Sequence, residues 1–286
     1  MPNPRVITTI SEMRKEARLA RIHTRRIAFV PTMGYLHEGH VSLLRAAREV
    51  GDLVVLSIFV NPMQFGPKED LARYPRDLDG DLAKAGAAGC DIAFVPTAED
   101  MYPASFQTQV EVKELSQGMC GDRRPGHFIG VATVVLKLFN IVEPHVAFFG
   151  EKDFQQLAVI RRMARDLDVP VEVVGRPIVR EPDGLAMSSR NAYLAPDERR
   201  QALVLSRALF TARDLARGGD REAAAILAAA HAILDGEPEV RLDYLELRDA
   251  ITLKVIKGAI EPERPAVLAV AAFVGKTRLI DNVVIG

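Results

Sequence analysis

The strongest constraint on the fold of this chain is a rhythm. Short β-branched or aromatic runs alternate with stretches of helical periodicity, and ladder-breaking residues close the first two runs. Ile27-Ala28-Phe29-Val30 reads as a buried strand stopped by Pro31, and Val41 to Val50 follows with Val41, Leu44 and Ala47 at helical spacing. Leu53 to Val60, stopped by Asn61-Pro62, reads as a second strand, and Asp91 to Val95, Val146 to Phe149 and Val171 to Val174 as three more. Asp77 to Ala88, Val131 to Val142 and Phe154 to Leu167 read as helices. Strand, helix, strand in this order predicts an α/β fold, a parallel sheet with helices on both faces. Such sheets bind ligands beyond the carboxyl ends of their strands, so functional residues are expected just after each strand.

The pattern changes after about Asn191. Pro196-Asp197-Glu198 opens a helix through Ala216, Gly218-Gly219-Asp220 breaks it, and Glu222 to Leu234 is a second helix. Leu242 to Leu247, Ala266 to Phe273 and Arg278 to Val284 follow as strands. Helices first and strands later predict a smaller C-terminal α+β domain. With the boundary near Gly175 to Pro177, the domains are expected at 1–176 and 177–286.

Composition narrows the function classes. A chain of 286 residues, 48% hydrophobic and 26% charged, is neither disordered nor a disulfide-stapled miniature. Its formal net charge of -1 lacks the field of a general nucleic-acid binder. Arg14, Lys15, Arg18, Arg21, Arg25 and Arg26 read as a solvated helix face. Cys90 and Cys120 sit in no metal-ligand cluster, Met1 to Leu19 lacks the apolar core of a secretory signal, and no apolar run reaches the ~18 residues that span a bilayer. The expectation is a cytoplasmic protein without nucleic-acid or membrane partners.

Four segments carry chemistry. Pro31 to His40 places His37 and His40 three residues apart at a helix start, with Gly39 between them. Both imidazoles and the helix N-terminus suit an anion, although a pair of surface histidines with a turn glycine would look the same. Gly150-Glu151-Lys152-Asp153-Phe154-Gln155-Gln156 follows a strand. Lys152 suits phosphate and Asp153 ribose hydroxyls, against the alternative of an ordinary acidic helix start. In Asp183 to Asn191, Ser188, Ser189 and Arg190 form either a mobile phosphate clamp or a polar linker. Asn61-Pro62-Met63-Gln64-Phe65 offers two amides in an apolar setting, for a small substrate or merely a turn. Together the groups suit a nucleoside triphosphate, and neither a Gly-x-Ser-x-Gly elbow nor a P-loop is present.

These segments resemble those of the pantoate–β-alanine ligase family. Pro31 to Leu44 is similar to its His-x-Gly-His segment, and Phe59 to Phe65 to its substrate strand end. Phe149 to Leu157, Asp183 to Asn191 and Gly275 to Asn282 also match in order. His-x-Gly-His alone would identify only a wider nucleotidyltransferase superfamily.

The resemblance implies a Rossmann-like domain that binds ATP and pantoate, a smaller C-terminal lid domain, and a homodimer. It implies that pantoate and ATP with Mg2+ give pantoyl adenylate and pyrophosphate, and that β-alanine then displaces AMP. By position, Met33, Gly34, Tyr35, Leu36, His37, Glu38, Gly39 and His40 would contact ATP, with both histidines at the phosphates and His37 as the family's proton donor. Gly150, Glu151, Lys152 and Asp153 would hold ribose and phosphates, Val179 and Met187 would border adenine, and Ser188, Ser189 and Arg190 would grip phosphates. Asn61, Gln64 and Gln156 would hold pantoate. Ile129 stands where some relatives have Arg, so that segment receives no role. Gly80 replaces an acidic residue seen in some members, which leaves Asp81 as the candidate magnesium ligand.

Overall fold

The computed structural model describes residues 2–67 and 69–286; Met1 and Lys68 lie outside the described residues. In chain order the elements are β1 (Arg5–Ile7), α1 (Ile10–Ile22), β2 (Ile27–Thr32), α2 (Glu38–Val50), β3 (Leu53–Ile58), α3 (Leu78–Ala87), β4 (Ile92–Phe94) and α4 (Ala98–Met101). Then come α5 (Met119–Arg123), α6 (His127–Val142), β5 (Val146–Gly150), α7 (Phe154–Asp166), β6 (Glu172–Arg176), α8 (Pro196–Arg217), α9 (Ala223–Leu234), β7 (Val240–Asp249), β8 (Ala266–Val274) and β9 (Thr277–Ile285). The chain forms two compact units. The first holds residues up to Ser116, Arg124–Glu151 and Gln156–Pro177, and the second holds Gln117–Arg123, Lys152–Gln155 and Ile178–Gly286.

The first unit is built on a six-stranded parallel sheet of order β1-β4-β3-β2-β5-β6, as the rhythm of the sequence requires. Both faces are covered. Ala28, Val30, Val54, Leu56, Val146 and Phe148 pack with Leu44 and Ala47 of α2 and Ala85 of α3. On the opposite face Phe29 and Phe149 meet Phe139 of α6 edge-on, with ring centroids 6.5 and 6.4 Å apart. The expected basic helix face is α1, which carries Arg14, Lys15, Arg18 and Arg21, while Arg25 and Arg26 lie past its end. Strand β1 has no counterpart in the sequence reading, because three residues are too few to show a period.

The strand order reverses between β2 and β5, the place where such sheets open a crevice. β2 pairs with β3 over six residues but, among the described residues, with β5 only at Ala28–Val146 and Phe29–Ala147. The reason lies in Pro31. The Ile27 carbonyl accepts from His145 N and the Thr32 carbonyl from Phe59 N, so alternate residues of β2 turn toward β5 and β3. Pro31 therefore turns toward β5 with no N–H to give, and the ladder ends there while β2 continues two residues beyond Val30.

The second unit is a three-stranded antiparallel sheet, β7-β8-β9, against α8 and α9. Ala202, Leu205 and Leu209 of α8 and Ile226 of α9 share a core with Leu268, Val270 and Ala272 of β8. Pro196 at the first helical position, and Glu198 accepting from Ala195 N at 2.9 Å, set the start of α8. No helix among the described residues is long and apolar enough to cross a membrane.

His145 joins the halves of the parallel sheet. Its Nδ1 accepts from Ile27 N at 2.9 Å, its N–H donates to Ile27 O, and its carbonyl accepts from Glu172 N. Burial, then repulsion from Arg21 and Arg26, holds its pKa below the usual histidine value. The unfolded chain thus takes up a proton that the folded chain resists. This contribution is complete above the ordinary value of ~6.5 and is lost as pH falls through the lower folded value. His145→Ala should cost about 1 kcal/mol near pH 8, the low end for an orphaned amide in a partly solvated place. Urea unfolding of the variant should also lose less stability than wild type on acidification from about pH 7 to 5.

Candidate functional site

The loop between β2 and α2 is shaped by one buried carboxylate. Gly34 and Tyr35 both take left-handed backbone angles, φ 85° and 53°, which turns the Tyr35 and Leu36 amides the same way. Asp81 on α3, 1% exposed, receives both, Tyr35 N at 2.7 Å on Oδ2 and Leu36 N at 2.6 Å on Oδ1. Lys84 Nζ caps the Leu36 carbonyl at 2.8 Å. Burial raises the Asp81 pKa, and the Leu36 and Tyr35 amides and Lys84 oppose that rise. A Cβ on Gly34 would stand 3.0 Å from Asp81 Oδ2, so the loop and its anchor fit only with glycine there.

Asp81 is the expected magnesium ligand, and the geometry gives it a role as anchor of the loop as well: each of its oxygens accepts one amide, and no cluster of three metal-ligating side chains exists among the described residues. Gly80 has a reason of its own: Asp77 caps α3 through Gly80 N at 3.1 Å, and a Cβ at Gly80 would lie 2.1 Å from Asp77 Oδ2.

Beyond this loop the two histidines cap α2 reciprocally. His37 Nδ1 accepts from Gly39 N at 3.1 Å, and His40 Nδ1 accepts from His37 N at 3.3 Å. Their rings lie 4.1 Å apart. With Nδ1 accepting in each, both neutral rings carry their proton on Nε2, which makes two N–H donors at a helix N-terminus. Glu38, exposed, ion-pairs with Arg45 along α2.

After β3, Asn61 caps a turn of 3-10 helix, Pro62–Gln64. Asn61 Nδ2 donates to Gln64 Oε1 and Gly130 O, both at 3.1 Å, while its Oδ1 accepts from Met63 N at 3.3 Å and the Tyr102 hydroxyl at 2.8 Å. Every side-chain hydrogen-bonding site of Asn61 is filled from within the chain, and one of the bonds it gives goes to Gln64. Burial pushes the Tyr102 phenol far above its usual pKa, keeping it a donor. Gln64 Nε2 has a weaker partner, Met33 Sδ at 3.0 Å, and so ties the turn to the β2 loop. At Gly130 on α6 a Cβ would fall 2.3 Å from Met63 O, so that helix can approach the turn only as glycine.

Gly150 ends β5 and Glu151 follows it on the other side of the reversal, with Glu151 Oε1 beside Gly175 of β6. Gln156, in the first turn of α7, is half-buried and its amide has no hydrogen-bond partner among the described residues.

The other expected site residues belong to the second unit. Lys152 is half-buried with no ion pair for its ammonium among the described residues, and its carbonyl accepts from Asn282 Nδ2 at 2.9 Å. Asp153 is exposed. Val179 and Met187 are joined by Met187 N donating to Val179 O, across a hairpin turned at Glu181-Pro182-Asp183-Gly184. Arg199 fastens the turn to α8 through Glu181 and Asp183. Ser188 caps the 3-10 helix Ser189–Tyr193, with Oγ accepting from Arg190 N at 3.3 Å.

Sequence reasoning missed Arg180, which clasps Asp281 of β9 bidentately at 2.7 and 2.9 Å and so sets the hairpin against the sheet. It also missed Tyr102. The likeness of Gly275 to Asn282 to a family segment was the available signal for Asp281 and Asn282; Tyr102 had none.

A family sequence model described as Pantoate-beta-alanine ligase matches residues 5–284. The chain belongs to the pantoate–β-alanine ligase family. It is 56% identical over 281 residues to the pantothenate synthetase of Syntrophobacter fumaroxidans, covering 98% of both chains. It is 55% identical over 282 residues to that of Geobacter sulfurreducens, covering 99% of each. Among solved structures, pantothenate synthetase from Thermus thermophilus is similar at 48% identity with a TM-score of 0.91, over 98% of each chain. The pantoate–β-alanine ligase of Francisella tularensis, crystallised with βγ-ATP and β-alanine, is 31% identical with a TM-score of 0.79, over 98% of this chain and 97% of that one. As a member of this ligase family the chain is an enzyme of pantothenate biosynthesis.

The two roles open to Asp81 separate experimentally. Asp81→Ala orphans two amides at about 1–3 kcal/mol each, and should cut ligase turnover by more than tenfold. Asp81→Asn, which keeps one acceptor, should fall between that variant and wild type. Raising Mg2+ tenfold should restore neither; recovery with the ion would return Asp81 to the metal.

Proposed function

We propose that this chain condenses pantoate with β-alanine at the expense of ATP, through an enzyme-bound pantoyl adenylate. The observation that carries the reading is the reciprocal cap of His37 and His40. It places two Nε2–H donors at the α2 N-terminus, just after β2, at the reversal of strand order. Family membership supplies the substrates.

In the first step a pantoate carboxylate oxygen bonds to the α-phosphorus of ATP, and the bond from that phosphorus to the bridging oxygen breaks to release pyrophosphate. In the second, the β-alanine amine bonds to the acyl carbon, the acyl–oxygen bond breaks, and AMP departs as the nitrogen loses a proton. The first step brings two anions together, so positioning and charge neutralisation carry the barrier. His37 and His40 donate to phosphate oxygens, and His37 protonates the leaving group. Lys152 and Arg190 offset the growing charge, and Ser188 and Ser189 donate beside them. Met33 to Leu36, Glu38, Gly39, Gly150, Glu151 and Asp153 line the nucleotide, with Val179 and Met187 at adenine. Gln64 and Gln156 hold pantoate while Asn61 keeps Gln64 in place.

Magnesium arrives with ATP. It would be held by phosphate oxygens and would neutralise triphosphate charge. The residues from 177 onward close over the nucleotide as a lid and protect the water-labile adenylate. The enzyme works as a cytoplasmic homodimer, a reading with which its two free thiols, Cys90 and Cys120, agree.

AMP should form only when pantoate, ATP, Mg2+ and β-alanine are all supplied, and pyrophosphate should exchange into ATP only with pantoate present. Exchange without pantoate, or ATP binding with no pyrophosphate released, would remove the reading. Lys152→Ala should slow pantoate adenylation by about a hundredfold, or ~3 kcal/mol in the barrier, in single-turnover measurements.

A further inference from the structure

Just before α6, Arg124 makes a contact that the proposed chemistry does not use. Its Nε and Nη2 donate to the two carboxylate oxygens of Glu69 at 2.7 and 2.6 Å, and Nη2 also reaches the Gln64 carbonyl at 3.3 Å. Nη1 lies 3.1 Å from His127 Nε2. A guanidinium only donates, so His127 Nε2 is the acceptor and the ring proton sits on Nδ1. That Nδ1 is 2.8 Å from the same Gln64 carbonyl. One carbonyl thus accepts from a guanidinium and from an imidazole which that guanidinium orients.

Four of the five Arg124 N–H groups are engaged in this way, and its side chain is only 16% exposed. It is thus committed to the protein, not to a ligand. Glu69 completes the arrangement: its Oε2 accepts from Gly66 N at 3.2 Å, so the pair also fixes the segment that leaves the 3-10 turn. The bonds from Arg124 and Gly66 hold the Glu69 carboxyl below its usual pKa although burial pushes it up, in keeping with a charged pair at neutral pH.

We propose that Arg124, set by Glu69 and His127, is a positioning residue that fixes the Gln64 backbone and thereby aims the Gln64 amide at pantoate. The proposal rests on the assignment of Gln64 to pantoate made above. Charge-assisted bonds to a carbonyl are stiffer than neutral ones, and a misplacement near 1 Å at such a turn is felt in substrate binding.

The test is steady-state kinetics with pantoate and ATP varied separately, on wild type, Gln64→Ala, Arg124→Lys, Glu69→Gln and the double variant Gln64→Ala/Arg124→Lys. Arg124→Lys and Glu69→Gln should each raise the pantoate KM by about tenfold and leave the ATP KM within about twofold. With Gln64 already removed, Arg124→Lys should add less than about twofold, because its effect runs through that residue. If Gln64→Ala raises the pantoate KM while Arg124→Lys and Glu69→Gln do not, the positioning role is overturned and the assignment of Gln64 survives. Full additivity in the double variant also overturns it, since Arg124 would then act elsewhere. An unchanged pantoate KM in Gln64→Ala would instead fell the assignment itself. Should Arg124→Lys fail to fold, Glu69→Gln alone and combined with Gln64→Ala decides the matter by the same comparisons.

Discussion

A missing hydrogen-bond donor organises this molecule. Interior strands of a parallel sheet ordinarily satisfy every backbone group through their neighbours, and proline is excluded from them for that reason. Here Pro31 faces β5 at the point where strand order reverses, so the ladder fails where an opening is needed. His145 secures the other end of the same seam through Ile27, which leaves β2 and β5 joined at their starts and parted at their ends. His37 and His40 come shortly after the end of β2, and Gly150 and Glu151 stand at the end of β5.

Around that opening the protein spends buried polar groups on shape. Asp81 holds two loop amides, Asn61 fills all its bonding capacity to seat a 3-10 turn, and Arg124 and His127 meet at one carbonyl. A half-satisfied network of this kind would destabilise the fold, whereas a filled one admits a single geometry. Glycines at 34 and 130 are the counterpart, since each lies where a methyl group would collide with the network or with backbone. Gln64, proposed here to face pantoate, is held by Asn61, Arg124 and His127, none of which is given a ligand of its own.

The main architecture was legible in the sequence because periodicity is a local property. β3, β5 and the helices Leu78–Ala87 and Phe154–Asp166 stand within two residues of where the pattern put them. α6 starts at His127, four residues before the expected Val131, because Gly126 and Gly130 disguise its first turn. The histidine pair and the Gly150 to Gln156 segment could be read as chemistry from residue type and position after a strand. What holds them could not. Asp81 reaches Leu36 across 45 residues, and Arg180 reaches Asp281 across 101. An aspartate seen alone looks equally like a metal ligand and a loop anchor, and the amides that Asp81 anchors lie too far along the chain to be read locally.

The chain passes between its two units at 116/117, 123/124, 151/152, 155/156 and 177/178. The second unit needs those short insertions: Gln155 accepts from Cys120 N and donates to the carbonyls of Gln117 and Gly118, and Asn282 grips the Lys152 carbonyl. It is therefore not a cassette that recombination could append, exchange or delete with one cut. A gene truncated after codon 177 would encode a first unit still carrying two stranded pieces of its neighbour, so the halves must be inherited and diversified as one piece.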